Sequence, residues 1–280
     1  MNPSDTMPLL ERLVAIARTA GDAILEVYAG EFDIDLKDDR SPLTQADLAS
    51  HRVIRDALAA LAPDIPLLSE ESAAIPFETR SSWQEYWLVD PLDGTKEFIN
   101  RNGEFTVNIA LVRGHRPVLG VVHVPVRGQS YYGASEVGAW RRDGEAEPLP
   151  ISTRRPPGER PVVVGSRSHA NPKLEQCLAG IGPYELVSMG SSLKFCLVAE
   201  GSADLYPRLG PTSEWDTAAA QAVVEAAGGA VVGLEGEPLP YNLKESFLNP
   251  WFLVFGDPDA GWPERLDTDL QAPPAPVTRA

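Results

Sequence analysis

Apolar residues recur with a helical period from about Thr6 to Tyr28, at Leu10, Leu13, Val14, Ala17, Ile24 and Val27, with Pro8 near the first turn and Gly30 just past the end. That spacing predicts an amphipathic opening helix. A second helix is announced by Thr44-Gln45-Ala46-Asp47, which has the form of a capping box, and Leu48, Ile54, Leu58 and Leu61 mark its buried side until Ala62-Pro63-Asp64 stops it. The pattern then shortens to strand-like runs at Pro66–Ser69, Tyr86–Val89, Phe105–Val112 and Leu119–Val124, the last two joined by a turn at Arg113-Gly114-His115-Arg116-Pro117. Short strands after helices predict a largely antiparallel sheet covered on one face by the two opening helices, an α+β first half.

The prolines and acidic residues of Arg141–Gly158 mark a subdomain boundary, and beyond them strand and helix alternate. Strands are expected at Pro161–Gly165, Tyr184–Val187, Ala203–Tyr206, Ala230–Val232 and Phe252–Phe255, and helices at Pro172–Leu178, Ser192–Ala199 and Thr217–Ala227. The expected organisation is an N-terminal α+β subdomain (1–155), a C-terminal α/β subdomain (156–262) and a proline-rich mobile tail (263–280) with little to bury.

With 43% hydrophobic residues among 280, the chain can build a substantial core. Its net charge of −16, from 40 acidic and 24 basic side chains, repels nucleic acid and anionic membrane surfaces, so an anionic substrate must be small. Cys177 and Cys196 form no C-x-x-C pair and read as reduced core residues. His51, His115, His123 and His169 are scattered without ligand spacing, which disfavours zinc and a Ser-His-Asp arrangement. No basic-plus-apolar leader precedes the first helix and no run approaches a membrane span, so a cytoplasmic location is expected.

The chemistry concentrates in three acidic islands: Ser69-Glu70-Glu71, Asp90-Pro91-Leu92-Asp93-Gly94-Thr95, and Glu214-Trp215-Asp216-Thr217. Pro91 disrupts regular pairing and is expected to end the Tyr86–Val89 strand, so that the carboxylates project beyond its tip. Asp93 reads as the N-cap of a following helix, whose free N–H groups suit a phosphate. Asp216 lies just before the Thr217 helix, where positive charge favours a carboxylate. Each island also fits a plainer role: a polar turn, an N-cap for Asp216, a solvated strand end for Glu70. If the acids converge, each close pair repels by roughly 3 kcal/mol at ~5 Å and an effective dielectric near 20, so the cluster needs cations. All-oxygen ligation selects a hard ion, with Mg²⁺ first, and two such ions would balance four carboxylates and attract a phosphate monoester.

Two signatures carry a resemblance that covers about Leu9–Phe255: Trp87-Leu-Val-Asp-Pro-Leu-Asp-Gly-Thr-Lys-Glu-Phe98, and Trp215-Asp-Thr-Ala-Ala-Ala220 through Ala227-Gly228-Gly229. The chain resembles the lithium-sensitive, magnesium-dependent phosphatases related to inositol monophosphatase. Gly103–Leu111, Ser166–Ala170, Gly190–Cys196 and Ser246–Pro250 resemble its branch of bacterial 3′(2′),5′-bisphosphate nucleotidases, which serve sulfate assimilation. The resemblance implies a layered αβαβα sandwich and removal of the 3′-phosphate from adenosine 3′,5′-bisphosphate, with phosphoadenylyl sulfate as a second substrate. It implies a first magnesium held by Glu70, Asp90 and the Leu92 carbonyl, a second held by Asp90, Asp93 and Asp216, and a third, weaker position near Lys37. Glu70 and Thr95 would orient and deprotonate the attacking water, with Asp47 holding Thr95. Asp93, Gly94, Thr95 and Asp216 would meet the substrate at the reacting phosphate. His169, Ser191, Lys194 and Arg208 would surround the phosphate that is kept, although Lys194 also fits a solvated helix lysine and His169 a loop cap. Some relatives associate with the inner membrane's cytoplasmic face. The rival readings are a phosphatase of the same fold for inositol or a sugar phosphate, and a catalytically silent nucleotide or metal sensor.

Overall fold

The computed structural model describes residues 3–30, 34–36, 42–166, 172–268 and 270. The opening helix α1 (Pro3–Tyr28) buries Leu10, Leu13, Val14, Ala17 and Ile24, the predicted stripe. A two-stranded ribbon, β1 (Ile34–Leu36) and β2 (Pro42–Thr44), leads into α2 (Gln45–Leu61). The capping box is formed. Thr44 Oγ1 accepts from the Ala46 N–H, and the Asp47 carboxylate accepts from the Thr44 N–H at 2.8 Å. Leu48, expected on the buried side of α2, is instead 40% exposed.

Seven strands follow in one sheet in sequence order: β3 (Leu67–Ser69), β4 (Glu85–Asp93), β5 (Thr106–Arg113), β6 (Arg116–Val124), β7 (Gln129–Ala134), β8 (Gly138–Asp143) and β9 (Leu149–Ile151). β3 runs parallel to β4, and every other pair is antiparallel. The β5–β6 hairpin closes on Gly114 and His115, both with positive φ (55° and 63°), the twist-matching geometry of a two-residue turn. A short helix, α3 (Phe77–Arg80), lies between β3 and β4, and another, α4 (Thr95–Ile99), follows β4.

Two expectations at the central acidic turn are corrected. β4 does not end before Pro91. It runs on to Asp93, which pairs with Thr106 across an irregularity after the Asp90–Asn108 pair, so the proline sits where the ladder is already broken. Asp93 is not the N-cap of α4 either: Gly94 holds that position at φ 91°, and the Asp93 carboxylate bonds elsewhere.

The second half forms a five-stranded sheet, order β11-β10-β12-β14-β13, from β10 (Val162–Ser166), β11 (Glu185–Met189), β12 (Leu205–Arg208), β13 (Ala230–Gly233) and β14 (Phe252–Phe255). Its helices are α5 (Pro172–Cys177), α6 (Leu193–Ala199), α7 (Glu214–Ala226) and α8 (Trp262–Arg265). Three apolar cores separate five layers. One fills the space between α1, α2 and the seven-stranded sheet; a second lies between that sheet and the other sheet around α6 and α7; a third backs the five-stranded sheet with Cys177, Leu178, Trp262 and Leu266. Leu266, which the sequence reading put in the tail, is buried in this last core rather than solvated. Both cysteines are buried and free. Among the described residues no helix is long and apolar enough to cross a membrane.

The inner helix α7 packs so closely on the first sheet that a Cβ at Gly120 of β6 would stand 2.1 Å from the Ala219 carbonyl oxygen. Only glycine allows that approach. Gly21 of α1 likewise leaves room for the His123 ring, whose Nδ1 pairs with the Ser130 hydroxyl at 2.9 Å. Burial, assisted by Arg18, pushes His123 down to about 4. The unfolded chain therefore binds a proton near pH 6.5 that the folded chain refuses until about pH 4, and stability present above pH 6.5 is lost as pH falls through that window. Urea denaturation across pH 7.5 to 4 should show the unsubstituted chain losing about 3 kcal/mol relative to His123→Leu. A pH-independent difference between the two would contradict this.

Candidate active site

The three acidic islands meet where β4, α7 and the turn before α6 converge. Asp90, Asp93 and Asp216 each present an oxygen, and these atoms lie within 4.8 Å of one another. Asp90 is buried, and its Oδ1 accepts from the Leu92 N–H at 3.0 Å, which folds the Pro91 turn back on the carboxylate. Asp93 Oδ2 accepts from the Ser192 N–H at 2.6 Å and lies 2.8 Å from the Ser192 hydroxyl. Asp216 stands inside α7, not before it. The helix begins at Glu214 with Ser213 as N-cap, and Asp216 closes a capping box by accepting from the Ser213 N–H at 2.9 Å. The expected N-cap thus starts three residues early, because Glu214 and Trp215 are already helical.

Packing around α7 explains why Asp216 is held there. The Glu214 side chain is buried and accepts from the Asn242 N–H at 2.8 Å and from Lys244 Nζ at 2.7 Å. Its own N–H donates to the Phe247 carbonyl at 2.8 Å, and Asn249 Nδ2 reaches the Ser213 carbonyl and the Thr217 hydroxyl. Arg80, also buried, bonds Asn242 and the Lys244 and Glu245 carbonyls. The Ser246–Pro250 segment is thereby a clamp on the start of the helix.

The electrostatics of the cluster follow from this crowding. Asp90 is raised well above the usual carboxylate range by burial first, then by Glu70, Asp93 and Asp216, and by a hydrogen bond with Glu70 that joins the first acidic island to the second. Asp216 is pushed up to about 8 by burial, then by Asp93 and Glu70. Carboxyls so arranged hold protons or cations. The donor set is all oxygen, with no His or Cys in it, and suits a hard divalent ion.

Beside the cluster Thr95 Oγ1 lies 3.4 Å from Asp47 Oδ1 and 3.5 Å from the Leu92 carbonyl. The other Asp47 oxygen takes the Thr44 hydroxyl at 2.6 Å, so the capping carboxylate of α2 also reaches the acidic turn.

A cleft of about 140 Å³ is lined by Asp93, Gly94 and Asp216 together with Ser191, Lys194 and Arg208. Ser191 adopts φ 43°, and its buried hydroxyl has no protein partner. Lys194 is pushed down to about 8, chiefly by burial. Lys37 and His169 lie outside the described residues. Residues given no role from sequence also line the cleft, including Lys96, Phe195 and Tyr206. Asn108 of β5 supports it by donating to the Ser192 hydroxyl at 2.9 Å. Lys96 and Ser192 stand inside quoted signatures, directly beside Thr95 and Ser191, and that adjacency is the signal that could have found them.

The inositol monophosphatase family profile matches residues 5–253. The chain belongs to the inositol monophosphatase family. Within the family, it is 54% identical over 249 residues to the 3′(2′),5′-bisphosphate nucleotidase CysQ of Shigella flexneri, covering 88% of this chain and 99% of that protein. The crystal structure of CysQ from Bacteroides thetaiotaomicron superposes with a TM-score of 0.74 at 42% identity, over 88% of this chain and 97% of the other. An inositol monophosphatase from Anabaena shares the fold, with a TM-score of 0.73 at 24% identity over 96% and 98% of the two chains. The layered αβαβα architecture is that of these inositol monophosphatase-type structures, and the acidic cluster fits the metal dependence of the family's enzymes.

Proposed function

We propose that the chain hydrolyses the 3′-phosphate of adenosine 3′,5′-bisphosphate to AMP and phosphate, and converts phosphoadenylyl sulfate to adenylyl sulfate, with two Mg²⁺ ions. The observation that carries this reading is the shared cleft, lined both by Asp93 and Asp216 of the carboxylate cluster and by the cationic side chains of Lys96, Lys194 and Arg208. Inositol monophosphate has no second phosphate to meet those cations. The sequence likeness to the CysQ nucleotidases supports the same substrate class. In this reading the enzyme works in the cytosol, where two buried free thiols are at ease.

Glu70, Asp90 and the Leu92 carbonyl would hold one ion, and Asp90, Asp93 and Asp216 the other. When bound, such ions supply positive charge that acidifies a water and neutralises the leaving oxygen. The protein's own part is positioning. With its proton directed to Asp47, the Thr95 hydroxyl keeps lone pairs free to accept from the attacking water, and Glu70 completes the path by which that proton leaves. The Gly94 and Thr95 amides open the turn toward the phosphoryl oxygens, and the start of α7 presents Asp216 toward the ribose side. No side chain needs to be phosphorylated.

A phosphate-release assay with Mg²⁺ should give a kcat/KM for adenosine 3′,5′-bisphosphate at least about a hundredfold above that for inositol 1-phosphate, a difference of ~2.7 kcal/mol in transition-state stabilisation. Preference for the inositol ester would reject the reading in favour of its sibling activity. Absence of turnover on either would favour a silent sensor.

A further inference from the structure

Asp93 and Asp216 come from elements far apart in the chain, yet one small side chain touches the carriers of both. Ser192 Oγ lies 2.8 Å from Asp93 Oδ2 and 2.8 Å from the Asp216 carbonyl. The Ser192 N–H donates to the same Asp93 oxygen at 2.6 Å. Among the described residues Asp93 Oδ1 makes no hydrogen bond, so the fold occupies one oxygen of this carboxylate and leaves the other to the cluster.

Ser192 is itself held from β5. A hydroxyl has a single proton and cannot donate both to Asp93 and to the Asp216 carbonyl, so what else bonds its oxygen matters. Asn108 Nδ2 donates to Ser192 Oγ at 2.9 Å, which turns the hydroxyl's own proton away from β5, and of the two acceptors then in reach the ionised carboxylate is the stronger. The Asn108 amide is fixed in this sense because its Oδ1 accepts from the Thr106 hydroxyl at 3.1 Å. Thr106 and Asn108 are both fully buried, so bulk water does not replace a donor lost there. The other end of the turn is gripped as well: Glu104 Oε2 accepts from the Gly190 N–H at 2.8 Å, and a Cβ on Gly190 would stand 2.9 Å from the Glu104 carbonyl oxygen.

We infer that Asn108 is a positioning residue for the candidate cation site: acting through the Ser192 hydroxyl, it holds Asp93 with one oxygen committed to the turn and the other presented beside Asp90 and Asp216. The inference rests on the cation reading above. Asp93 repels both of those neighbours, so a tether is needed to keep it among them before a cation arrives. Asn108 does not line the cleft, which leaves Ser192 and Asp93 as its route to the site.

Isothermal titration of the full chain with Mg²⁺ in the absence of substrate tests this, alongside thermal melts in chelator. Asn108→Leu, which keeps the volume and removes the amide, is expected to weaken Mg²⁺ binding about tenfold, and Ser192→Ala to weaken it by about the same factor. Both changes cut one link, so the double variant should also lose about tenfold rather than about a hundredfold. In phosphate release from adenosine 3′,5′-bisphosphate, Asn108→Leu should raise the Mg²⁺ concentration for half-maximal rate by the same factor, with kcat at saturating Mg²⁺ within about threefold. A purely structural Asn108 would lower the melt in chelator and leave Mg²⁺ affinity unchanged; that result, or additive losses in the double variant, would overturn the inference. Should Asn108→Leu fail to fold, Asn108→Ala takes its place in the cycle with the same expected outcomes. An unsubstituted chain that binds no Mg²⁺ would overturn the cation reading and the inference with it, and that failure shows without any variant.

Discussion

Asp93→Asn is expected to lower turnover by about a thousandfold or more while leaving the cation-free protein at least as stable as the unsubstituted chain. The substitution keeps the shape of the side chain, and its amide oxygen can still accept from the Ser192 N–H and hydroxyl that now hold Asp93 Oδ2. The fold contacts therefore survive. What is lost is one negative charge beside Asp90 and Asp216, both raised in part by Asp93. Relieving a repulsion of roughly 3 kcal/mol per close pair, at an effective dielectric near 20, favours the folded state without cations and weakens it as a cation trap. Thermal melts with chelator and with Mg²⁺ separate the two effects. The variant should melt no lower than the parent in chelator, and should gain much less on adding Mg²⁺. Full activity in the variant would remove Asp93 from the chemistry, and a collapse of the melt in chelator would show that its role is structural.

Cation binding near pH 7 is expected to expel about one proton from the protein. Asp216 is pushed up to about 8 by burial and by its acidic neighbours, so the cluster shares a proton at neutral pH that a divalent ion must displace. The sign at this site follows directly: between pH ~4 and ~8 the folded, cation-free cluster keeps a proton that the same carboxyl in the unfolded chain has lost. Its contribution to stability therefore falls as pH rises through that window, opposite in sign to that of His123, and cation affinity rises. Calorimetric titration of Mg²⁺ in two buffers of different ionisation enthalpy reads the proton number from the difference in heat. Zero protons at pH 7, or an affinity that does not change between pH 6.5 and 8.5, would refute the shared-proton state. The stabilisation itself should be large, about 2.7 kcal/mol at a free cation concentration one hundred times Kd, and chelator should reverse it.

Much of the site was legible because its parts are local. Thr44-Gln-Ala-Asp47 satisfies helix-end donors within four residues, so the α2 start could be read without knowing what packs on it. The same was true of the α1 stripe and of the β5–β6 hairpin. Asp93 and Pro91 misled because their local preferences were overruled from a distance. Ser192, ninety-nine residues on, takes the Asp93 carboxylate that would otherwise cap α4, and pairing of Asp93 with Thr106 carries the strand past a proline that alone would end it. β7 was missed because Ser130, Gly133 and Ala134 dilute its apolar pattern, and Leu48 misread because one helical position cannot tell a buried stripe from its rim.

The sequence by itself determined the helices with their caps, the strand runs, the all-oxygen character of the candidate site and its preference for a small anionic substrate. These depend on neighbouring residues or on composition, where steric preference and charge act at short range. Only the tertiary structure decided that Glu70, Asp90, Asp93 and Asp216 form one cluster, that Lys194 is engaged by its own turn, and that Asn108 stands behind Ser192 and Asp93. The physical reason is that α7 can deliver Asp216 only if it lies almost in contact with β6, through the bare backbone of Gly120 and under the Glu214–Asn242 clamp. Such packing is settled by surfaces far apart in the chain, 28 residues for the Glu214–Asn242 clamp and more for Gly120 against Ala219, and no local pattern encodes it.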